Sequence, residues 1–317
     1  MAAPAAILTV TLNAALDVTY QVPGVQLHRS NRVAAVTTRA GGKGVNVAQV
    51  LRRLGRPTVV AGLVGGTAGA TLRADLAASE ASATPLTDAL LTIRAETRRT
   101  IAVVDPVAAD VTMFNEPGPA VSPAEWSAFQ AHYARLLDQG CAAVALSGSL
   151  PAGLPVDAYA TLVALARDRG IPVLLDTSAP WLLPALAAGP DLIKPNLDEL
   201  REATGLTDPQ QAAEALLVRG ARAVIASLGA DGLLAVTPEG SWRATPPEQL
   251  TGNPTGAGDS AVAALTAGQV DGSPWPERLA EAVALSAATV LSPLAGTYDE
   301  AAYRALLPRV VVTAAGA

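Results

Sequence analysis

The sequence contains little cysteine and few aromatic residues. Cys141 is the single cysteine among 317 residues, which excludes an intrachain disulfide framework and favours a reducing compartment. Aromatic residues make up 3% of the chain, although half of its residues are apolar. We therefore expect a core of alanine, valine and leucine.

Positive charge is also scarce. Lys and Arg together number 22 against 28 Asp and Glu, giving a formal net charge of −6. This balance argues against nucleic acid or an anionic membrane as a partner, and any anionic ligand must be met by local cations. The first residues lack the positive region of a signal peptide, and no apolar run is long enough to span a membrane. We expect a cytoplasmic protein with no membrane or nucleic-acid partner.

The stretch from Gly252 to Gly268, G-N-P-T-G-A-G-D-S-A-V-A-A-L-T-A-G, combines a glycine-lined turn with an alanine-rich run. The alanine-rich run predicts a helix that ends at Gly268, with the glycine-lined turn at its N-terminus. The N–H groups and dipole of a helix N-terminus attract anions, and glycine allows close approach. Asp259 in the first turn either complements the helix dipole or acts as a general base beside a transferred phosphoryl group.

The segment G-A-G-D-S-A also matches the loose dinucleotide pattern G-x-G-x-x-A. That pattern is expected to follow a strand and open a βαβ unit. Here it follows a loop rich in Pro, Thr and Asn late in the chain, so its context disfavours a nicotinamide oxidoreductase.

Short apolar runs alternate with helical patterns through most of the chain, which predicts βαβ units and a mainly parallel sheet covered by helices. The predicted strands are 7–12, 57–64, 142–146, 173–175, 192–193, 223–228 and 233–236, and the predicted helices after residue 120 are 122–139, 156–169, 208–219 and 277–291. Residues 18–38 and 90–116 instead have β character, and we assign them to a small accessory sheet within one domain spanning 1–317.

Polar loops marked by Gly or Pro follow four of the apolar runs. In an open α/β sheet, ligands bind beyond the carboxyl ends of the strands. We therefore expect these loops to share the ligand-binding rim of the sheet. They are S-G-S-L-P (147–151), D-T-S (176–178), K-P-N-L-D-E (194–199) and S-L-G-A-D-G (227–232).

Nine motifs in fixed order carry a resemblance that covers nearly the whole chain. The chain resembles the ribokinase-like (PfkB-type) carbohydrate kinases, and most closely their hexose-phosphate branch. The motifs are L-N-A-A-L-D (12–17), A-G-G-K-G-V-N-V-A (40–48), E-T-R-R-T (96–100), N-E-P-G-P (115–119), L-S-G-S-L-P-A-G (146–153), L-L-D-T-S (174–178), I-K-P-N-L-D-E-L (193–200), S-L-G-A-D-G (227–232) and N-P-T-G-A-G-D-S (253–260).

The resemblance implies a ribokinase-like, doubly wound α/β body with a small β-sheet lid, here the accessory sheet. It also implies transfer of the γ-phosphoryl group of ATP, with Mg²⁺, to a hydroxyl of a sugar phosphate. Asp259 would be the general base, with the N–H groups of Gly256, Ala257 and Gly258 as the anion hole. The other implied contacts fall into two groups. For the sugar they are Asp17, Gly41, Gly42 and Asn46, and for ATP and its Mg²⁺ they are Lys194, Asn196, Glu199 (through water to the metal), Ser227, Gly229 and Gly232.

The phosphate of the substrate needs cations, and Lys43, Arg98, Arg99 and Arg32 are the candidates. Arginine suits phosphate because its guanidinium binds two oxygens at once. Neighbouring residues on a strand point to opposite faces, so we expect only one of Arg98 and Arg99 to contact ligand. Ser149 is either a ligand contact or a turn residue.

The resemblance favours phosphorylation of fructose 1-phosphate to the bisphosphate. Tagatose 6-phosphate, fructose 6-phosphate, an unphosphorylated sugar or a nucleoside remain alternative acceptors, and a sensor without catalysis is an alternative of another class. In this family two lids often pair, which implies a homodimer formed through the lid.

Overall fold

The computed structural model describes residues 5–78, 84–108, 110–292 and 294–315. Within these residues the larger sheet has ten strands in the order β14-β13-β12-β11-β10-β9-β8-β1-β4-β5. These strands are β1 (Ala6–Thr11), β4 (Thr58–Val64), β5 (Leu86–Thr92), β8 (Cys141–Ser147), β9 (Val173–Asp176), β10 (Leu192–Ile193), β11 (Val224–Ser227), β12 (Leu233–Thr237), β13 (Gly240–Thr245) and β14 (Val311–Ala314).

Strand β1 lies inside the sheet, between β4 and β8, and is parallel to both. Its sequence A-I-L-T-V-T is rich in β-branched residues and is buried from Ile7 onward, as expected for a strand covered on both faces. Only β12, β13 and β14, at one edge, pair antiparallel to their neighbours. The predicted doubly wound, mainly parallel sheet is confirmed.

Helices cover both faces of this sheet. On one face α3 to α7 bury the larger hydrophobic cluster, and on the other α1, α8 and α9 bury a second cluster that is rich in alanine and leucine. Among the described residues, none of the helices is both long and apolar enough to cross a membrane. The helices are α1 (Lys43–Arg53), α2 (Gly66–Ala78), α3 (Pro123–Asp138), α4 (Ala158–Arg167), α5 (Ala179–Leu186), α6 (Leu197–Thr204), α7 (Pro209–Val218), α8 (Ala257–Asp271), α9 (Trp275–Val290) and α10 (Glu300–Leu306).

The smaller sheet has the order β3-β2-β6-β7, formed by β2 (Ala15–Gln21), β3 (Ala35–Gly41), β6 (Arg98–Asp105) and β7 (Asp110–Asn115). Strands β2 and β6 are parallel, and the outer pairs are antiparallel. We call this sheet the lid. One of its faces packs through Leu16 and Val18 into a third hydrophobic cluster that includes α2.

The lid bounds differ from those predicted. Leu90 belongs to β5, which pairs parallel with β4 in the larger sheet, so the second lid segment begins at Arg98 rather than at residue 90. Residues 22–34, inside the first predicted segment, form a connection between β2 and β3. The apolar run around Leu90 has β character in either sheet, and only the pairing partner decides between them.

The predicted end of α8 at Gly268 is also wrong. The helix continues to Asp271 and ends at Gly272, which has the left-handed conformation typical of a helix C-cap. Gly268 has a packing role instead, because a Cβ at this position would lie 2.8 Å from Cγ of Arg278 on α9. Glycine at this position therefore allows close contact between α8 and α9 rather than ending the helix.

Candidate active site

Two helix N-termini meet at the centre of the candidate site. Helix α1 begins after Gly42 and helix α8 begins after Gly256, and both glycines have a positive φ (99° and 86°) that favours glycine. Asn46 in the first turn of α1 donates from Nδ2 to Oδ2 of Asp259 in the first turn of α8, at 2.8 Å. The two predicted residues Asn46 and Asp259, far apart in sequence, are therefore in direct contact.

The environment of Asp259 makes it a suitable general base. Burial raises its pKa to about 6, while the charges of Lys43 and Lys194 and the hydrogen bond from Asn46 oppose the rise and Asp176 adds to it. A carboxylate with this pKa is ionised at neutral pH, yet accepts a proton more readily than an ordinary aspartate. The arrangement can take a proton from a hydroxyl while the helix N-terminus favours negative charge next to it.

Asp176 joins two lysines that the sequence placed in different roles. Its Oδ2 lies 3.2 Å from Nζ of Lys43, and its Oδ1 lies 3.2 Å from Nζ of Lys194. Burial opposes ionisation of Asp176, but the two ammonium groups outweigh it and hold its pKa below the ordinary value. The same carboxylate raises the pKa of Lys43, so that lysine stays protonated.

Sequence reasoning did not include Asp176 among the site residues. The signal was present, because Asp176 ends the buried strand β9 and begins the polar loop D-T-S at the predicted binding rim. Asp176 is 1% exposed, and only the structure shows that its carboxylate pairs with Lys43 and Lys194.

The glycine turn before α8 lies beside Lys194. A Cβ placed on Gly258 would lie 3.5 Å from Nζ of that lysine, so the ammonium group and the turn face the same space. The N–H of Ala257 donates to the carbonyl oxygen of Pro254 at 3.1 Å. Ala257, which was predicted to contribute to the anion hole, thus uses its N–H to close the turn, and Gly256 and Gly258 flank it.

Asp17 on β2 of the lid lies against Gly41, the last residue of the neighbouring lid strand β3. A Cβ at Gly41 would overlap the carboxylate of Asp17, so glycine is required here for the close approach. Burial raises the pKa of Asp17 to about 6, opposed by Arg98, by a hydrogen bond with Thr100 and by Arg39. Asp17, Gly41, Gly42 and Asn46 therefore form one continuous region, as the resemblance implied.

Arg98 and Arg99 lie on opposite faces of β6. Arg98 is near the carboxylate of Asp17, and its Nε donates to the backbone oxygen of Asn13 at 3.2 Å. Arg99 points to the exposed face, where its Nη2 lies 2.6 Å from Oε1 of Glu116. Only Arg98 is therefore on the side of the sugar site, as the alternation of a strand requires. Arg32 is exposed in the connection between β2 and β3.

Ser149 follows β8 in the loop S-G-S-L-P, and its Oγ accepts a hydrogen bond from Nδ2 of Asn13 at 3.0 Å. The preceding Gly148 has a φ of 107°, and its carbonyl oxygen accepts hydrogen bonds from the hydroxyls of Tyr159 and Thr177. Three hydrogen bonds, from Asn13, Tyr159 and Thr177, therefore fix the position of this loop next to the start of the lid.

A cleft of about 1200 Å³ opens beside Gly258, between α8, α9 and the loops after β10 and β11. Ser227, Gly229, Gly232 and Asn196, which the resemblance assigns to ATP and its Mg²⁺, line this cleft. Their role in binding ATP stays a prediction. Asn196 and Glu199 also form a capping box at the start of α6, in which each side chain accepts from the backbone N–H of the other. Their N-x-x-E spacing therefore has a structural role in addition to the predicted one.

Comparisons with known proteins identify the family. The profile of the pfkB family carbohydrate kinases matches residues 10–301. This chain belongs to that family. A curated 1-phosphofructokinase from Rhodobacter capsulatus is 43% identical over 294 residues, which cover 90% of this chain and 92% of that protein. The family assignment that the nine motifs implied is confirmed.

Solved structures of PfkB-type kinases share the fold. Phosphofructokinase-2 from Escherichia coli in complex with fructose-6-phosphate is 28% identical, with a TM-score of 0.86 over 96% of this chain and 98% of that one. A possible 1-phosphofructokinase from Thermotoga maritima is 28% identical, with a TM-score of 0.87 over 98% and 99% of the two chains. Ribokinase from Arabidopsis thaliana, at 20% identity and a TM-score of 0.75, supports the ribokinase-like fold.

Proposed function

We propose that this carbohydrate kinase transfers the γ-phosphoryl group of ATP to fructose 1-phosphate, giving fructose 1,6-bisphosphate. The observation that carries the proposal is the position of Asp259. It lies at a helix N-terminus, next to a cleft large enough for a nucleotide on one side and within 2.8 Å of a sugar-site residue, Asn46, on the other. The 43% identity to a 1-phosphofructokinase supports the choice of acceptor.

In this proposal Asp259 takes the proton from the attacking hydroxyl. The N–H groups of Gly256 and Gly258 and the ammonium groups of Lys43 and Lys194 stabilise the negative charge on the transferred phosphoryl group. Such stabilisation is effective because these groups are already in place before the reaction. Asp176 pairs with both lysines through its two oxygens and raises the pKa of Lys43, which supports a preorganised centre.

Mg²⁺ is proposed to bind mainly through the ATP phosphates and water. Among the described residues no group of three or more His, Cys, Asp or Glu side chains could enclose a metal ion. Glu199 beside the cleft is a single carboxylate, and its Oε2 already accepts from the N–H of Asn196 at 2.9 Å. This donor set fits a hydrated ion, since Mg²⁺ usually keeps several waters and takes few protein ligands. When bound, the ion neutralises phosphate charge.

The acceptor is proposed to bind between the lid and the body. Asp17, Gly41, Gly42 and Asn46 would hold its hydroxyls, since a carboxylate and an amide can accept from or donate to neighbouring hydroxyls. Arg98 and Ser149 would bind its phosphate, and Arg98 is the arginine on this face of the lid. Lys43 points from the same region toward Asp176 and the phosphoryl-transfer centre.

A coupled ADP-release assay with Mg-ATP tests the proposal against its alternatives. The acceptors are fructose 1-phosphate, fructose 6-phosphate, tagatose 6-phosphate, fructose and ribose, each at several concentrations. We expect the highest kcat/KM with fructose 1-phosphate. A preference for either 6-phosphate would retain the mechanism and change the acceptor. Turnover only with unphosphorylated sugars would contradict the phosphate site, and binding without turnover would indicate a sensor.

We further propose that two copies of the chain associate through their lids. Val36, Val103 and Phe114 lie on the lid face that also carries Leu16 and Val18, beyond the part of that face that packs into the third hydrophobic cluster. Val36 and Phe114 on this face are 58% and 57% exposed, so an apolar patch is open to a partner. A tetrameric form is known for phosphofructokinase-2 from E. coli.

We place the protein in the cytoplasm, which its single cysteine supports.

The replacement Phe114→Asp tests the proposed dimer. Burying a carboxylate in an apolar interface is unfavourable, so this variant should be monomeric by light scattering at concentrations where the parent is dimeric. Val218→Asp is the matched control, because Val218 is 89% exposed on α7, away from the lid. A monomeric parent, or an unchanged mass for Phe114→Asp, would contradict assembly through the lid.

A further inference from the structure

Asn13 lies at the point where the larger sheet, the lid and the S-G-S-L-P loop meet, and the predicted site residues did not include it. It follows β1 and precedes β2, and it is 9% exposed. Its Nδ2 donates to Oγ of Ser149 at 3.0 Å, and its backbone oxygen accepts from Nε of Arg98 at 3.2 Å. Asn13 therefore contacts both residues proposed to bind the substrate phosphate.

The segment N-E-P-G-P, which leads from the lid back to the body, closes over the side chain of Asn13. Any Cβ at Gly118 would overlap the amide of Asn13, so this glycine lets the backbone lie directly on it. Oδ1 of Asn13 is buried and has no hydrogen-bond partner among the described residues. Leaving a buried acceptor unpaired is unfavourable, so holding the amide in this way calls for a compensating role.

The direction of the Asn13–Ser149 hydrogen bond has a chemical consequence. A serine hydroxyl has one proton and two lone pairs. Since Oγ of Ser149 accepts from Nδ2 of Asn13, its own proton remains free to be donated elsewhere. A phosphate is an acceptor, so a hydroxyl in this state is complementary to it, and one that has given its proton to a neighbour is not.

We propose that Asn13 is a positioning residue that sets the hydrogen-bond polarity of Ser149, and thereby selects a phosphorylated acceptor. It acts through Ser149, and its backbone oxygen holds Arg98 beside that serine. The inference rests on the proposed assignment of Ser149 and Arg98 to the substrate phosphate. It adds Asn13 as the residue that holds Ser149 and Arg98 in fixed relative positions and directs the hydroxyl proton of Ser149 toward the substrate phosphate.

The variant Asn13→Asp provides the sharpest test, because it preserves the shape of the side chain and reverses the hydrogen bond. A carboxylate accepts the proton of Ser149, so the hydroxyl would present lone pairs to the phosphate. We expect KM for fructose 1-phosphate to rise about tenfold or more, with KM for ATP within about twofold of the parent. The loss of kcat/KM with fructose, which has no phosphate, should be smaller than the loss with fructose 1-phosphate.

Asn13→Ala and Ser149→Ala, singly and together, complete the test as a double-mutant cycle. If Asn13 acts through Ser149, the two effects on KM for fructose 1-phosphate will be clearly less than additive. Thr9→Val is the matched control. Thr9 is a buried residue of β1 whose hydroxyl has no partner among the described residues, and its replacement should leave both KM values unchanged.

Each result separates this inference from the function on which it rests. A raised KM in Ser149→Ala and Arg98→Ala, with an unchanged KM in Asn13→Asp, would overturn the inference and leave the phosphate site intact. Additive effects in the cycle, or an equal rise of KM for ATP, would also overturn it. Unchanged KM values in Ser149→Ala and Arg98→Ala would overturn the phosphate site and the inference together. Should Asn13→Asp fold poorly, the alanine cycle decides.

Discussion

The centre at α8 and the lid differ in how completely their charged groups are already paired. At the centre, Asp259, Asp176 and Lys194 are buried. Asp176 pairs directly with Lys43 and Lys194, and the charges of both lysines act on Asp259. In the lid, β7 is exposed along its whole length, and Arg99 forms a surface pair with Glu116. The charges of the centre are compensated within a single chain, whereas the lid leaves apolar and charged side chains exposed.

This difference indicates which of the two regions gains contacts when an acceptor or a second copy of the chain binds. A buried group of charges remains in place only if each charge is compensated, so the centre needs its fixed partners in the absence of ligand. Surface ion pairs such as Arg99–Glu116 contribute little to stability because both partners are in contact with water. We infer that the centre is preorganised for transfer and that the lid face gains its contacts when an acceptor or a second copy covers it.

The largest effect is expected from Asp259→Asn. Without the carboxylate no group at this position can take the proton, so kcat should fall by about 10²-fold or more while both KM values change little. Asp271→Asn is the control, because Asp271 lies at the other end of α8 in a surface pair with Arg56. Near-normal turnover of Asp259→Asn in steady-state assays would contradict the role of general base.

The same variant should be more stable than the parent. The folded protein binds the proton of Asp259 more tightly than the unfolded chain does, because the pKa rises from 3.8 to about 6 on folding. Stability therefore decreases as pH increases from about 4 to above 6, and asparagine avoids this loss. We expect a gain of about 2 kcal/mol in the free energy of unfolding at pH 7, measured by denaturant titration, that disappears near pH 4.

Asp176→Asn tests whether the two lysines depend on a common partner. Both ammonium groups would lose their carboxylate, and Lys194 is only 5% exposed. We expect the free energy of unfolding to fall by about 3 kcal/mol and kcat/KM for ATP to fall by about 30-fold. Asp138→Asn, which removes the exposed partner of Arg169, should change neither quantity measurably. Equal effects of Asp176→Asn and Asp138→Asn would contradict the conclusion that the buried ion pairs of the centre contribute more than a surface ion pair.

Arg98→Ala and Arg99→Ala compare the two faces of one strand. Arg98 faces the proposed phosphate site, so KM for fructose 1-phosphate should rise about tenfold in its alanine variant. Arg99 is bound to Glu116 on the other face, and its replacement should change KM by less than about twofold. Steady-state kinetics with fructose 1-phosphate as the varied substrate checks both. The reverse ranking would mean that the lid faces are assigned the wrong way round.

The smallest predicted difference concerns pH. Asp259 and Asp17 both have a pKa of about 6, and each is expected to act as a carboxylate. Protonation of each group increases as pH falls through 6, so each should lower kcat/KM by about fourfold at pH 5.5. In Asp17→Asn only Asp259 should contribute, and the acid side of its profile should be less steep. Identical profiles for parent and variant, measured with the same substrate, would contradict a shared role.

Much of the site could be predicted because its residues lie in short motifs. Asp259 was identified from a glycine turn, and Asn46, Asp17 and Lys194 from the motifs of the family resemblance; the structure brings them into one region. Asp176 and Asn13 were not, since a single aspartate or asparagine at the end of a strand is a common feature. Asn13 contacts Ser149 and Arg98, and Asp176 contacts Lys43, all more than 80 residues away, and no local pattern reveals such contacts.

By itself the sequence determined the class of fold, the order of the nine motifs and the position of the glycine turn before Asp259. These depend on local properties: hydrophobic period, helix capping and the freedom of glycine at positive φ. The tertiary structure alone decided that Leu90 joins the larger sheet, that Gly268 packs against Arg278, and that Arg98 rather than Arg99 lies beside Asn13 and Asp17. Strand pairing and charge pairing join distant segments, and their energies depend on distances that exist only in the folded chain.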